Sequence, residues 1–331
     1  MKNNFQVFDC RASLCFILFQ LAFYVEAAAD DLTPQQMVDR MSRATHELNY
    51  DGIFIYRHGR QSDTMRLIHK NGSNGEIERM VALTGHPREI IRNNKSVTCI
   101  FPDNKSVLVE KSTPYSLPMT QPPDSADKLN AYYRFSIAGH DRVAGNHATI
   151  VSVQPNDNYR YGYKLWIDND NHLLLKSELK NQSGYPLEEI EFTKIDVVGS
   201  IADDMLAPAI ASDGFSRFDN TARSASAQAA GNYGSWDVKW MPDGFTKSSH
   251  AKQPLSSSSV EVDHMVYTDG MAIISIFIEP IDNHSHFVPG LSRVGAVNAY
   301  IREANGFQVT AVGEVPPTTV EKMALSVINN H

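Results

Sequence analysis

Three groups of residues in this chain could do chemistry. The first is Asp282 with His284-Ser285-His286. His-x-His in an extended chain puts both imidazoles on one side, where a divalent metal could take them. A structural site needs about four well-placed donors, and this segment has the composition of a turn. It therefore reads as a solvated loop, and no metal is assigned. The second group is Tyr159, Tyr161, Tyr163 and Trp166. On a strand, alternate side chains share a face, so the odd-numbered tyrosines would line one face and Trp166 the other. They serve as cross-strand aromatic packing, or Tyr161, Tyr163 and Trp166, with Phe54 and Tyr56, are candidate walls of an apolar ligand cavity. The third is Arg79, Arg88 and Arg92, on or near neighbouring predicted strands. They form either a basic patch for a phosphate or acidic peptide or a solvated face paired with Glu76, Glu78 and Glu89.

No catalytic constellation accompanies them. The sequence has no Gly-x-Ser-x-Gly elbow, no Gly-rich phosphate loop and no Cys-x-x-Cys. Its Ser, His and Asp residues are scattered. A hydrolase reading thus lacks its machinery, and no catalytic residue, cofactor or metal is expected. The net charge of −8 gives no general attraction to nucleic acid or to anionic lipid.

The elements that must position these residues begin after a leader. Lys2 and Arg11 precede an apolar run, Leu14 to Val25, that is shorter than the roughly 20 residues of a membrane helix. Ala27-Ala28-Ala29 offers a cleavage site before Asp30. Cleavage removes Cys10 and Cys15 and leaves Cys99, whose alternating surroundings favour a buried thiol over an interchain bond. Asp30 to Asn49 reads as a helix with Thr33 as cap and Pro34 at its first position. Short strands with turn signals follow from Tyr50 to Phe101, in antiparallel meander patterning. Thr113 to Pro123 is proline-rich, and Ser125 to Tyr133 suits a short helix. Strands resume over 135–139, 148–154, 159–167, 173–179 and 187–198. Residues 200–232, Ala/Ser-rich at 222–230, read as a linker. Beyond it, 233–331 reads as a smaller α+β domain. Its hairpins turn at Thr268-Asp269-Gly270 and at Glu303-Ala304-Asn305-Gly306, and a closing helix starts at Pro316 with Val320, Met323, Ala324 and Val327 on one face.

Seven blocks run through both halves of the chain: Leu48-Asn49-Tyr50-Asp51-Gly52-Ile53-Phe54-Ile55-Tyr56, Glu76-Ile77-Glu78-Arg79, Gly85-His86-Pro87-Arg88-Glu89-Ile90, Tyr161-Gly162-Tyr163-Lys164-Leu165-Trp166-Ile167-Asp168, Trp240-Met241-Pro242-Asp243-Gly244-Phe245, Val266-Tyr267-Thr268-Asp269-Gly270 and Val312-Gly313-Glu314-Val315-Pro316-Pro317. In this order they resemble the MucB/RseB family, periplasmic negative regulators of sigma-E (AlgU-type) envelope-stress signalling. The resemblance implies an α+β protein: signal peptide 1–29, then an N-terminal domain 30–199 similar to the LolA/LolB carriers, a curved antiparallel half-barrel with helices, then linker 200–232 and C-terminal domain 233–331. It also implies a non-enzymatic partner, the periplasmic segment of a membrane-spanning anti-sigma factor, shielded from regulated proteolysis while bound. Lipopolysaccharide or mislocalised lipid or lipoprotein is the ligand implied for the cavity. The anti-sigma contact is placed on the C-terminal domain and linker, with no residue assigned. A homo-oligomer stays open, as does a lipid or lipoprotein carrier with no anti-sigma partner.

Overall fold

The computed structural model describes residues 32–73, 75–112, 129–219, 221, 236–254, 261–281 and 288–330. The expected leader 1–29, the proline-rich stretch 113–123, the Ala/Ser-rich stretch 222–230 and Asp282, His284 and His286 lie outside the described residues.

Helix α1 (Pro34–Glu47) starts in a capping box. The Thr33 hydroxyl accepts from the Gln36 amide at 3.2 Å, and the Gln36 side chain accepts from the Thr33 amide at 2.9 Å. The proline at its first position costs no hydrogen bond there. Met37, Val38, Met41 and Ala44 are buried along one stripe of the helix, which lies on one face of a twelve-stranded sheet.

Eleven strands of that sheet form two antiparallel meanders. The first is β1 (Asn49–His58), β2 (Gln61–Gly72), β3 (Gly75–Ala82), β4 (Glu89–Asn93), β5 (Ser96–Phe101) and β6 (Ser106–Lys111). The second is β7 (Tyr133–Val143), β8 (Asn146–Pro155), β9 (Gly162–Asp168), β10 (Leu174–Lys180) and β11 (Pro186–Val198). They meet where β1 pairs with β11, Asn49 opposite Val198 and Phe54 opposite Phe192, with a bulge between Ile53 and Phe54. Strand alternation then sorts the side chains. Tyr50, Phe54, Met65, Leu67 and Met80 share the helix-bearing face with Val151, Val153, Tyr163 and Leu165. Ile68, Ile77, Ile91, Ile100 and Val107 point the other way.

The opposite face is covered by residues expected in the linker. A 3-10 turn at Asp203–Leu206 and the chain through Phe215 lay Ile201, Leu206, Ile210 and Phe215 over Ile68, Ile100, Val107 and Val109. β12 (Ser216–Asp219) then pairs parallel with β6 at the sheet edge. The reason is apolar burial: without this strap, the Ile and Val side chains of β2 to β6 would face water.

A six-stranded antiparallel sheet follows, with β14 (Thr246–Pro254), β15 (Glu261–Thr268), β16 (Ile273–Pro280), β17 (Gly290–Val294), β18 (Val297–Ala304) and β19 (Phe307–Gly313) in the order β14-β15-β16-β19-β18-β17. Helix α2 (Pro317–Leu325) buries Val320, Met323 and Ala324 against it. Val327, expected on that helix, belongs instead to β20 (Val327–Asn329), which pairs with β13 (Trp236–Val238). Ser326 ends the helix, its amide bonding back to Lys322 and Met323. The architecture is thus α+β, a large open curved sheet with few helices and a second, smaller sheet domain. No helix among the described residues is long and apolar enough to cross a membrane.

Candidate functional site: an apolar cavity beside a buried junction

The cavity straddles the seam between the meanders. It has a volume of about 200 Å³, and its walls include Tyr50, Phe54, Tyr56, Met65, Leu67, Met80 and Ile90 from one side and Leu173, Leu175, Ile190, Phe192 and Ile195 from the other. Gly52 makes this wall possible, because a Cβ there would fall 2.6 Å from the Phe192 ring. Phe192 therefore lies across the β1 backbone and meets Phe54 edge-on, ring centroids 5.6 Å apart. Apolar cavities of about 150 Å³ take small apolar ligands, so this one has room for part of a hydrocarbon chain.

Its polar groups are Thr45, Tyr56, Arg88, Lys176, Ser177 and Glu188 at the wall. Arg88 donates to Asp63 at 3.0 Å. The Tyr56 hydroxyl donates to Glu188 Oε2 at 2.9 Å, and the phenol is shifted upward, first by burial and then by the Glu188 charge. Glu188 Oε1 accepts from the Ala296 amide at 3.2 Å, and Ala296 belongs to the turn between β17 and β18. The cavity wall thus touches the second sheet directly.

Around that contact the two sheets share a buried polar junction. Arg160 is fully buried: its Nε donates to Asp269 Oδ2 at 2.6 Å, and its other nitrogens reach Asp157 and the Asp243 carbonyl. Tyr133 donates to the same Asp269 oxygen at 2.9 Å. The guanidinium also stacks near Tyr132, Tyr133 and Phe245, at 5.0 to 5.7 Å from the ring centroids. Burial alone would weaken its protonation, but the hydrogen bond and charge of Asp269 outweigh that and raise its pKa. Asn298 Nδ2 spans the Tyr161 hydroxyl at 3.0 Å, the Ala296 carbonyl at 3.2 Å and the Val315 carbonyl at 2.8 Å. Next to Val315, the Glu314 carboxyl is pushed up to about 8, by burial first and by Glu188 second.

The residues singled out in the sequence divide accordingly. Phe54 and Tyr56 line the cavity. Tyr161 and Tyr163 share the helix-bearing face but sit in the junction core with Ala296 and Met271. Tyr159 precedes β9 and packs on Trp240 and Lys322. Trp166 is on the opposite face, donating to Asp141 at 2.9 Å between Lys164 and Lys176; parity on β9 separates it from the cavity. The three arginines do not form one patch. Arg79 faces away from the cavity, buried against Glu89 and the Met205 carbonyl. Arg88 and Arg92 sit on the cavity face, paired with Asp63 and Glu78. Cys99 is a half-buried free thiol, shifted upward by burial and by Glu110. Among the described residues no group of three metal-ligating side chains converges. Sequence reasoning missed Glu188, Arg160, Asp269 and Asn298, because no short-range spacing pairs residue 188 with 296 or 160 with 269. The one local signal was an arginine set between two tyrosines, Tyr159 and Tyr161, at the entry to a strand.

The comparisons cover both sheets. The MucB/RseB N-terminal domain family matches residues 33–210, and the MucB/RseB C-terminal domain family matches residues 231–328. The sigma factor AlgU regulatory protein MucB of Pseudomonas aeruginosa is 30% identical over 88% of this chain and 89% of its own length. The sigma-E factor regulatory protein RseB of Haemophilus influenzae is 25% identical over 91% and 93%. A solved MucA/MucB complex from Pseudomonas aeruginosa contains a chain 28% identical to this one, with a TM-score of 0.68 over 90% of this chain and 99% of that chain.

Proposed function

The chain belongs to the MucB/RseB family, and on that premise we propose that it binds the periplasmic segment of a membrane-spanning anti-sigma factor. Bound, it shields that segment from regulated proteolysis and so restrains a sigma-E-type response. The observation that carries this reading is the match to a solved MucA/MucB complex along almost the whole chain. The site of action is the periplasm, reached through the leader that ends before Asp30. The protein acts by binding and turns nothing over.

The apolar cavity supplies the sensing half. Its walls suit an acyl chain from lipopolysaccharide or from mislocalised lipid or lipoprotein, and Arg88 at the wall suits an anionic head group. Ligand and anti-sigma segment favour different states of the protein, so each weakens the other by linkage. A carrier with no anti-sigma partner is the second reading, favoured by the cavity alone.

Calorimetric titration with the periplasmic segment of the anti-sigma factor from the same cell separates the two. Saturable binding at micromolar affinity, about −8 kcal/mol, with competition by an acyl ligand, supports the regulator. No binding by folded protein, with lipid bound at one equivalent, supports the carrier.

A further inference from the structure

Glu188 occupies an unusual position. One carboxylate oxygen holds the cavity wall through Tyr56, at 2.9 Å. The other holds the second sheet through the Ala296 amide, at 3.2 Å. Ala296 is fully buried, and its carbonyl is held in turn by Asn298, which also grips Val315. A single side chain therefore joins the wall that a ligand would displace to the strand pair β17–β18 and the start of α2.

The contact is marginal by construction. Burial, and after it the Glu188 charge, push the Glu314 carboxyl up to about 8, so near neutral pH it stays mostly protonated rather than adding a second charge beside Glu188. The buried Asn298 Oδ1 has no hydrogen-bond partner among the described residues, a defect that costs about 1–3 kcal/mol in general. The unsatisfied carbonyl favours letting the contact go once its geometry is disturbed. By contrast, the Arg160–Asp269 contact is fully buried on both sides and lies outside the cavity wall, so it keeps the two sheets attached when the Glu188 contact opens.

We propose that Tyr56, Glu188 and Ala296 form a relay that converts occupancy of the cavity into release of the β17–β18 turn. An occupant that pushes the Tyr56 ring withdraws its hydroxyl from Glu188. The carboxylate then turns from Ala296, and the turn loses its carboxylate anchor to the large sheet, keeping the link through Asn298 to the Tyr161 hydroxyl. The relay rests on the sensing half of the proposed function, and it makes Glu188 a positioning residue for that response.

The test installs an occupant covalently. Ile90 lines the cavity and is partly accessible. In a Cys99→Ser background of the purified secreted protein, Ile90→Cys is modified with octyl or with methyl methanethiosulfonate, and hydrogen exchange is read by mass spectrometry on the peptide spanning 290–298. The octyl adduct is expected to exchange about fivefold faster there than the methyl adduct, roughly the net worth of one hydrogen bond. Adding Tyr56→Phe should bring the two adducts to within about twofold, because the link is already cut. Equal exchange of the two adducts, or an octyl effect that survives Tyr56→Phe, overturns the relay. A dodecanoate titration of the unmodified protein runs beside it. Failure to bind dodecanoate removes the acyl-sensing reading but leaves the adduct result, and hence the relay, decided on its own terms.

Discussion

Arg160 shows what one residue contributes when burial removes every alternative partner. Its guanidinium and the Asp269 carboxylate are both fully buried, and Asp269 Oδ1 also receives the Met271 and Ala272 amides. Arg160→Met leaves that buried carboxylate without its counter-charge, held by the Tyr133 hydroxyl and the two amides alone. Removing one member of such a pair costs about 3–5 kcal/mol, and urea unfolding followed by tryptophan fluorescence should show the free energy of unfolding lowered by that amount. Glu314 carries the pH response. Its folded-state pKa, about 8, stands above that of an unfolded glutamate at about 4.3. Between those values the folded protein keeps a proton that the unfolded chain releases, so this group's contribution to stability falls as pH rises through the window and levels off above it. The groups that face it are Glu188, Tyr56 and Tyr163. Glu314→Gln should flatten the slope of unfolding free energy against pH across that window; an unchanged slope would place the burden elsewhere.

Single elements differ in how plainly the chain announces them. The β18–β19 hairpin was legible because Asn305 and Gly306 both adopt positive φ, 52° and 78°, the two-residue turn that an Asn-Gly pair favours. Helix α1 was legible through Thr33, Pro34 and the spacing of Met37, Met41 and Ala44. The strap over 201–215 was not, since Ile201, Leu206, Ile210 and Phe215 follow no period and are spaced by the sheet they cover. Parity could set Trp166 apart from Tyr161 and Tyr163, yet nothing local says which face holds a cavity. The arginines required the β3–β4 register, Arg79 opposite Ile91 and Glu78 opposite Arg92, to be assigned to faces. The strap itself is pinned by Glu89, fully buried, which takes the Arg79 guanidinium and the Ala209 and Ile210 amides. Glu89→Ala should free those amides and strand Arg79. Hydrogen exchange at 209 and 210 should then rise well beyond that of the central strands, whereas a uniform rise over all strands would mean that the strap has no separate latch.

At the scale of the whole molecule, the junction makes the two sheets dependent on each other. The Pro242-Asp243-Gly244 turn abuts Tyr132 so closely that a Cβ on Gly244, already at φ 87°, would sit 2.4 Å from the ring, while Asp243 offers its carbonyl to Arg160. Thr319 donates to the Tyr159 carbonyl at 2.9 Å and Lys322 to its hydroxyl at 2.7 Å, which ties α2 to the loop before β9. Scanning calorimetry should therefore record one cooperative transition for the intact protein. Gly244→Ala, by prising the turn from Tyr132, should lower it or divide it. Deleting 233–331 removes Asp243, Asp269, Met271 and Ala296, the partners that Arg160, Tyr133, Tyr163 and Glu188 have beyond the large sheet. The remaining piece should melt earlier than the intact chain and lose the anti-sigma segment. Retention of full affinity would move the binding surface onto the large sheet alone.

The seam between β1 and β11 has a further consequence, for the order of events as the chain emerges. Phe54 and Leu67 are delivered early, yet the wall opposite them, Ile190 and Phe192, arrives only after the whole second meander. Closing so long a loop is entropically mild, since each doubling of its length adds only about 0.6 kcal/mol, but contacts this distant in sequence form slowly. Until then both meanders carry an open edge and the cavity does not exist. Any signal read in that cavity is consequently confined to molecules in which both meanders are complete: a copy that stops short of β11 has nowhere to register it, and cannot compete for it.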